Sequence, residues 1–392
     1  MKNLCYPTLA LALCITLAGC GGGGGNSSPA GTTTPVASTC ANGGTNYPTC
    51  TAPVAQTCTN GGTNYPTCTA PVSISTAWEP AVTSVPAPTY AAGSNNLAAF
   101  TLLNQLRSAA GSGLLAQNAQ LDTAAANHTN YLVLTNWIQN MPTDMHIETA
   151  GLPGFTGVSP SVRAAYAGYT GNATEVGGGG TGAQCVHALV EDTIYHRVAI
   201  IGGNVDVGIS LVNTNDTLGD TYCVIDLGIS TALGGFNEWG GQIPVNPVVY
   251  PYNGRTGVDT TFTPAGESPN PAPDLGSAKV GLPITVSLVT QSLVGANLAG
   301  FVASDVTITA FTLTAQGATT PVNARIVTYP GVVAGAGVTL VNDPASFLGV
   351  ADSFLLPLAP LAPNTTYNVI FKATVKGQTV SLAWTFTTGA GN

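Results

Sequence analysis

Charged side chains are scarce in this chain. Lysine and arginine together number nine of 392 residues, aspartate and glutamate number 18, and the formal net charge is −9. Charged residues make up 7% of the chain, against about a quarter in typical soluble proteins. Nucleic acids and anionic lipid surfaces bind through clusters of basic residues, so this composition excludes both as partners.

The common sequence motifs of catalysis are also missing. The chain has no Gly-x-Ser-x-Gly nucleophile elbow, no His-Glu-x-x-His zinc motif and no Gly-Lys phosphate loop. The glycine run from Gly177 to Gly180 is not followed by a lysine, and we expect it to form a flexible loop. The sequence therefore leaves catalytic activity uncertain and favours a protein that is not an enzyme.

Residues 1–19 have the pattern of a bacterial secretory signal peptide. Lys2 provides a positive charge, Leu9 to Leu17 form an apolar core, and Ala18-Gly19 supply small residues for cleavage before Cys20. The apolar run is too short to cross a bilayer, and no later run reaches the roughly 18 residues that a membrane-spanning helix needs. The mature protein would then begin at Cys20.

The Leu-Ala-Gly-Cys ending of this segment resembles the lipobox of bacterial lipoproteins. The resemblance implies that Cys20 is acylated, so that the N-terminal lipid attaches the protein to a membrane. Gly21 in the second mature position resembles the sorting pattern of outer-membrane lipoproteins. We therefore expect a lipoprotein of the bacterial outer membrane, periplasmic or surface-exposed, with ordinary secretion as the alternative.

The cysteine count predicts disulfides. Of the nine cysteines, six remain after Cys5, Cys14 and Cys20 are set aside: Cys40, Cys50, Cys58, Cys68, Cys185 and Cys223. An even number in an exported, oxidising compartment predicts three disulfides, one of them joining Cys185 to Cys223. A metal site is the alternative for the first four, but their spacing differs from the Cys-x-x-Cys of zinc sites.

Residues 20–93 are predicted to be a flexible tether. Their composition is rich in glycine, serine, threonine and proline. Two copies of one unit, Pro35 to Ala52 and Pro53 to Ala70, each carry an Asn-Gly-Gly turn between two cysteines. Each unit would be a small loop closed by its own disulfide, which gives a disordered, disulfide-stapled stalk.

Residues 94–235 predict an α+β or three-layer domain. Apolar residues at helical spacing predict helices over Leu97 to Ala110 and Ala119 to Trp137, and Ser159-Pro160 opens a third. A fourth helix is expected from Gly182 to Tyr195. The alternating residues of Val205 to Leu211 and of Cys223 to Ile229 predict an antiparallel hairpin.

The rest of the chain predicts an all-β domain. Residues 236–280 are a connector rich in proline and glycine, either a rigid joint or a packed extension. Residues 281–392 contain strand-like runs separated by turn residues, as in a β-sandwich. The segments Pro363-Asn364-Thr365-Thr366-Tyr367, Lys376-Gly377 and Trp384-Thr385-Phe386-Thr387 resemble the ends of bacterial immunoglobulin-like modules.

An ordered series of short segments in residues 97–230 is similar to the CAP superfamily of cysteine-rich secretory, antigen 5 and pathogenesis-related proteins. The series runs in the family's order through Asn104-x-x-Arg107, Ala124-Ala125, His128, His146-Ile147-Glu148, Pro153-Gly154-Phe155, Arg163, Gly168-Tyr169, Tyr195-His196-Arg197 and Val207-Gly208-Ile209. The resemblance implies an α-β-α sandwich. It also implies a cleft with two histidines and two acidic residues, which binds a divalent metal in some members.

Carried over to this chain, the resemblance assigns the cleft to His146, Glu175, Glu191 and His196. Two imidazoles and two carboxylates suit Zn²⁺ or another divalent metal. Glu148 would orient His146 from behind, since the two are two residues apart on an extended segment. Two alternatives remain, a pairing of Glu191 with His187 at helical spacing and a hydrogen-bonded acid–base cluster without metal.

Three functions follow as hypotheses. The first is a membrane-anchored protein whose cleft binds a lipid or an envelope-derived (cell-wall) ligand. The second is a metal-dependent hydrolase of peptide or glycan, in which Glu175 or Glu191 acts as the base. The third is a structural or adhesive envelope protein, in which the four cleft residues only stabilise the fold.

Overall fold

The structure, a computed structural model, describes residues 79–140, 144–213, 221–229, 241–294 and 301–391. These residues combine helices with several sheets, which confirms the predicted α+β class. Among them, no helix is long and apolar enough to cross a membrane. The predicted signal peptide, the acylation site at Cys20 and the four repeat cysteines Cys40, Cys50, Cys58 and Cys68 lie outside the described residues.

The chain order of the elements is as follows. The described helices are α1 (Asn95–Ala110), α2 (Ala119–Leu134), α3 (Trp137–Asn140), α4 (Pro160–Tyr166), α5 (Ala183–Glu191), α6 (Tyr195–Ile201) and α7 (Gln291–Val294). The strands of the first half are β1 (Glu79–Pro80), β2 (Ala116–Gln117), β3 (Asn172–Gly178), β4 (Asp206–Asn213), β5 (Thr221–Ile229) and β6 (Gln242–Ile243). The strands of the second half are β7 (Val248–Tyr250), β8 (Arg255–Val258), β9 (Ile284–Ser287), β10 (Val306–Ala315), β11 (Ala324–Thr328), β12 (Val333–Ala334), β13 (Leu340–Asn342), β14 (Asp352–Pro357), β15 (Thr366–Val375) and β16 (Gln378–Thr388).

The first half is a four-stranded sheet with helices on both faces. The strand order is β2-β4-β5-β3, so β3 is an edge strand. Alternate side chains of β5 point to opposite faces, because successive residues of a strand do so. Ile225 and Leu227 share a core with α1 and α5, whereas Tyr222 and Val224 pack with α2.

Two contacts hold these layers together. Cys185 on α5 is bonded to Cys223 on β5, which confirms that predicted disulfide. On the other face, α2 approaches the sheet so closely that a Cβ at Gly208 would lie 2.0 Å from the carbonyl carbon of Leu121. Only glycine fits this position, because any side chain would push the helix off the sheet.

The second half contains two five-stranded sheets that share one hydrophobic core. Their strand orders are β12-β10-β15-β16-β8 and β13-β11-β14-β9-β7. Phe311, Phe371 and Trp384 from the first sheet pack in the same cluster as Val286 and Leu355 from the second. The strand-rich pattern of the sequence thus corresponds to a β-sandwich.

The segments predicted as linkers are packed where the structure describes them. In the predicted connector, β7 pairs with β9 and β8 pairs with β16, so both strands belong to the sandwich. In the predicted tether, β1 pairs with β6, and Tyr90 packs edge-on against Phe100. Residues 241–280 therefore form a packed extension, which is one of the two alternatives for the connector, because their apolar side chains belong to the hydrophobic core.

The predicted fourth helix, Gly182 to Tyr195, ends four residues earlier than expected, and a further helix follows it. Helix α5 ends at Glu191 and α6 begins at Tyr195, with a corner at residues 192–194. Both oxygens of the Glu267 carboxylate accept backbone N–H groups there, from Ile194 and Tyr195 at 2.7 Å each. A carboxylate that binds the N–H groups at a helix N-terminus stabilises that end, so Glu267 favours the start of a separate helix at Tyr195. Helical periodicity could not predict this break, because Glu267 is distant in sequence.

Arg197 links the two halves of the molecule. Its buried guanidinium donates to the carbonyl of Val190 at the end of α5 and to the carbonyl of Pro283 beside β9, at 2.5 and 2.6 Å. A further bond reaches the Thr285 hydroxyl at 3.1 Å.

We expect Arg197→Met to lower the free energy of unfolding by about 3 kcal/mol, because it leaves several buried carbonyls without donors. Urea unfolding followed by far-ultraviolet circular dichroism measures this change. The matched control is Arg325→Met, which removes an ion pair to the exposed Asp274 and should cost less than about 1 kcal/mol. Equal small losses in both variants would contradict the role given to Arg197.

Candidate functional site

A cleft of about 770 Å³ lies beside the edge strand β3. Its walls include the glycine end of β3 with the residues around His146, the corner between α5 and α6, and the segment 261–268 of the predicted connector. Gly177 and Gly178 belong to β3 rather than to a flexible loop, which corrects the expectation for the glycine run. A Cβ at Gly177 would lie 2.9 Å from Cε at the flexible end of the Met145 side chain, so a larger residue here would have to displace that methyl group.

Glu175 and His146 form the centre of one wall. Glu175 lies on β3, and its Oε1 is 2.8 Å from Nδ1 of His146. Burial by itself disfavours the charged imidazole, but the hydrogen bond and charge of Glu175, together with the charge of Asp144, outweigh it and raise the pKa of His146. The structure thus brings together the two residues that the resemblance assigned first.

Both oxygens of Glu175 are engaged. Oε2 accepts a hydrogen bond of 2.6 Å from Arg163 on α4, and Oε1 lies 3.5 Å from Nε2 of His128. Burial acts to raise the pKa of this carboxyl, but His128, His146 and Arg163 together lower it to about 2. Glu175 is therefore ionised at neutral pH, and both of its carboxylate oxygens have bonded partners.

Asp226 lies opposite Glu175 in the β3–β5 ladder and is fully buried. Burial, followed by the charge of Glu175, raises the pKa of Asp226 well above its ordinary value. Two carboxyls this close in a dry interior cannot both ionise, so Asp226 keeps a proton while Glu175 carries the charge. The sequence pattern did not reveal this pair, because it depends on strand register.

His196 faces His146 across the cleft, with ring centroids 5.9 Å apart. Its Nδ1 is buried without a hydrogen-bond partner among the described residues and lies 3.7 Å from Oε1 of Glu267. Burial, and then the charge of His146, lower the pKa of His196 to about 4. Burial also raises the pKa of Glu267 to about 7, although the backbone N–H groups of Ile194, Tyr195 and His196 and the charge of Arg197 act against this.

The other two predicted residues lie elsewhere. Glu191 is buried outside the cleft, where it accepts hydrogen bonds from Tyr250 and Arg255. Helix α5 does end between Glu191 and His196, but the corner turns the two side chains to different partners. The alternative partner of Glu191, His187, lies 3.9 Å from Asp259 instead. The acidic residue beside His196 is Glu267, which the sequence analysis placed in a connector.

Glu148 supports the cluster by a different route from the one expected. Its carboxylate contacts Nδ1 of His128 at 2.9 Å and accepts the backbone N–H groups of Thr156 and Gly157. His128 in turn contacts the Met145 carbonyl at 2.9 Å, immediately before His146. Glu148 therefore acts on the segment that carries His146 rather than on the His146 ring.

The remaining walls of the cleft are largely apolar. Trp137, Ile138, Met145, Leu189 and Phe262 line it. The indole Nε1 of Trp137 is buried without a hydrogen-bond partner among the described residues, as is Nδ1 of His196. Buried polar atoms of this kind are uncommon, and each calls for a partner that the fold itself does not supply.

The side chains do not form a preassembled cation site. In the described part of the chain, no group of three or more histidine, cysteine, aspartate or glutamate residues is arranged to hold a metal ion. Glu175 already accepts from Arg163 and His146, and the positive guanidinium opposes a second cation beside it. The set His146, Glu175, Glu191 and His196 therefore does not fit Zn²⁺ as it stands.

Comparisons with known proteins add little. No family model and no curated protein matches the chain. The solved structure of an outer surface protein from Borrelia burgdorferi is similar at 17% identity over 33% of this chain and 87% of that chain, with a TM-score of 0.26. The resemblance to the CAP superfamily stays a prediction.

We expect the contribution of His146 to stability to depend on pH in one direction. Its folded pKa is raised, so the folded state gains stability that is fully present below the unfolded value of about 6.5 and is lost as the pH rises through the folded pKa. The difference in unfolding free energy between the wild type and His146→Gln should therefore be largest in mild acid and shrink above neutrality.

Urea unfolding over a range of pH values measures this difference. Since Glu267 titrates in both proteins, its contribution cancels to first order. His187→Gln, which removes a half-exposed histidine outside the cleft, is the control for the loss of an imidazole elsewhere. A His146→Gln difference that grew with rising pH would overturn the assigned interaction.

Proposed function

We propose that this chain is a membrane-anchored envelope lipoprotein that binds a small amphipathic ligand in the cleft between His146 and His196. The ligand would have an apolar body and a head group that accepts hydrogen bonds, such as the carboxylate or carbonyl of a lipid. The cleft itself carries this proposal. It combines a volume of about 770 Å³ with apolar walls and a few polar groups at one side, as ligand pockets commonly do.

The polar groups support an acceptor on the ligand. His146 uses Nδ1 toward Glu175, and its raised pKa favours the imidazolium, whose Nε2 then carries a second N–H group. The Trp137 indole adds a donor that has no partner among the described residues. Three acidic side chains, Asp144, Asp192 and Glu267, and one basic side chain, Lys279, also line the cleft, and the excess of acidic groups disfavours a multiply charged phosphate relative to a single carboxylate or carbonyl.

Two of the hydroxyl groups that line the cleft, those of Thr193 and Thr221, are not placed to act as nucleophiles. A nucleophilic serine or threonine needs a base within hydrogen-bond reach. Thr193 donates to the Leu189 carbonyl at 2.6 Å, and Thr221 donates to Asn213 at 2.9 Å. Neither hydroxyl is directed to an imidazole.

The sequence supports the cellular setting of this proposal. The lipobox-like ending at Cys20 favours attachment to the outer membrane through an N-terminal lipid. The ordered CAP-like segments and the immunoglobulin-like ending favour a CAP-type head joined to an immunoglobulin-like module. Helices on both faces of the first sheet, and two packed sheets after them, are compatible with both assignments.

The test is fluorescence titration of dansyl-labelled undecanoic acid into the full chain carrying Cys20→Ser, which lacks the predicted lipid but keeps every described residue. We expect saturable binding that is weakened on the order of tenfold by His146→Gln, because a hydrogen bond to a charged group contributes about 1.5–3 kcal/mol. Trp137→Phe should weaken binding less, since it removes only the indole donor.

His187→Gln is the matched control and should bind like the parent, because His187 lies outside the cleft. Circular dichroism and urea unfolding check that each variant is folded. Binding that is absent from the parent, or unchanged by both His146→Gln and Trp137→Phe, would overturn the proposal and favour a structural or adhesive role.

Hydrolysis of peptide or glycan is a second candidate, and the Glu175–His146 contact favours it. A carboxylate at Nδ1 fixes the imidazole orientation that a general base needs. The base would then be His146 rather than Glu175, because both oxygens of Glu175 are bonded. Turnover of peptidoglycan or casein that is lost in His146→Gln would select this function.

A Zn²⁺ titration by calorimetry, on the parent and on His146→Ala and His196→Ala, tests the metal-dependent form of that candidate. Because the Arg163 guanidinium is bonded to the Glu175 carboxylate, we expect that the parent does not bind Zn²⁺ tightly. Tight one-to-one binding that both variants abolish would instead establish the cleft as a metal site.

A further inference from the structure

A second cavity of about 360 Å³ lies between α6 and the β9–β14 side of the sandwich. It does not share lining residues with the cleft of His146 and His196. Most of its lining is aliphatic or aromatic, including Val198, Ile201, Val248, Val289, Phe301 and Leu348. A volume of this size is within the range of small-ligand pockets.

One carboxylate is set into this apolar wall. Asp352, at the start of β14, has 8% of its surface exposed and lines the cavity. Its Oδ2 accepts the backbone N–H of Gly349 at 3.1 Å, whereas its Oδ1 has no hydrogen-bond partner among the described residues. A buried carboxylate oxygen without a donor is costly, so this atom calls for a partner.

No basic side chain among the described residues compensates this charge in the cavity. Asp352 is the one carboxyl in the lining, and the remaining titratable group there is the phenol of Tyr329. Across the β9–β14 ladder Asp352 faces Ser287, whose uncharged hydroxyl acts on the carboxyl as a weak donor but does not reach Oδ1 at hydrogen-bond distance. Burial raises the pKa of Asp352 to about 6, although Ser287 and the Gly349 N–H act against this, so the carboxyl is mostly ionised at neutral pH.

We propose that this cavity binds a small organic cation, an ammonium group on an apolar body, with the ammonium placed against Oδ1 of Asp352. The apolar walls would take the body of the ligand, and the cation would supply the donor and the opposite charge that the fold leaves out. An anionic or neutral apolar ligand would leave the carboxylate unpaired, so the charge selects a cation. This site is separate from the cleft and does not depend on the function proposed there.

The experiment is a fluorescence titration of monodansylcadaverine, a dansyl group on a primary ammonium chain, into the full chain carrying Cys20→Ser. We expect saturable binding at neutral pH and a loss of at least tenfold in affinity in Asp352→Asn. Asparagine keeps an oxygen that can accept the Gly349 N–H, and it replaces the charge and the second acceptor oxygen with an uncharged NH2 group. Asp274→Asn is the matched control, because it removes one carboxylate at an exposed position and should leave binding unchanged.

The pH dependence of binding gives a second measurement. Since the ionised carboxyl is the binding form, the affinity of the parent should fall by up to tenfold for each pH unit below about 6. Asp352→Asn should show no such fall. If Asp352→Asn does not fold, the pH dependence of the parent's affinity still tests the proposal. A monodansylcadaverine affinity that is constant from neutral pH to about pH 5 would overturn it.

His146→Gln separates this site from the cleft and should bind monodansylcadaverine like the parent. If His146→Gln lost monodansylcadaverine binding and Asp352→Asn kept it, the cation would bind in the cleft. That result would refute the second site. Equal affinities of the Asp352 cavity for monodansylcadaverine and dansyl-labelled undecanoic acid would mean that the cavity binds apolar molecules without regard to charge. That result would also refute the proposed cation site.

Discussion

The cleft depends on one buried carboxylate. Glu175 can stay ionised on the edge strand because Arg163, His146 and His128 surround it from three different segments of the chain. These contacts fix the His146 imidazole by its Nδ1 and leave the other nitrogen for a ligand. Asp226, protonated beneath Glu175, keeps the net charge of the pair at one and so makes the arrangement tolerable in a dry interior.

The second constraint is the packing of the two halves against each other. Arg197 bonds to carbonyl groups at the end of α5 and beside β9, and Glu267 holds the corner between α5 and α6. The same corner carries His196, and Glu267 lines the cleft beside it. Residues that join the two halves therefore also complete the site, so the cleft is a property of the joined structure and not of the α-β-α half alone.

This organisation favours recognition over chemistry. The ionisable groups of the cleft are stabilised by one another, with Glu175 doubly bonded and His196 held neutral by burial and by the charge of His146. Such a cluster presents fixed donors to a ligand, and Glu267, whose pKa burial raises to about 7, is a group of the cleft that titrates near neutral pH. The cavity at Asp352 has the opposite character, because it places a single acceptor in an apolar wall, and the ligands proposed for the two sites differ accordingly in their head groups.

Local patterns in the sequence were sufficient for much of the fold. Helical spacing located α1 and α2, the Ser159-Pro160 start signal located α4, alternation located the β4–β5 hairpin, and turn residues between apolar runs predicted the sandwich. The pairing of Cys185 with Cys223 followed from counting. Strand β3 was missed, because Asn172 to Gly178 has no alternating apolar pattern and becomes a strand only by pairing with β5.

The residues of the site also fall into two groups, those that the sequence predicted and those that only the structure revealed. The sequence by itself identified His146, His196 and Glu175, because a resemblance carried by ordered motifs does not require knowledge of contacts. Only the tertiary structure decided that Glu191 turns to Arg255, that Glu148 supports His128, and that Glu267 and Trp137 line the cleft. The physical reason is that burial and partner choice of an ionisable group depend on side chains far away in sequence, which packing brings together and periodicity does not encode.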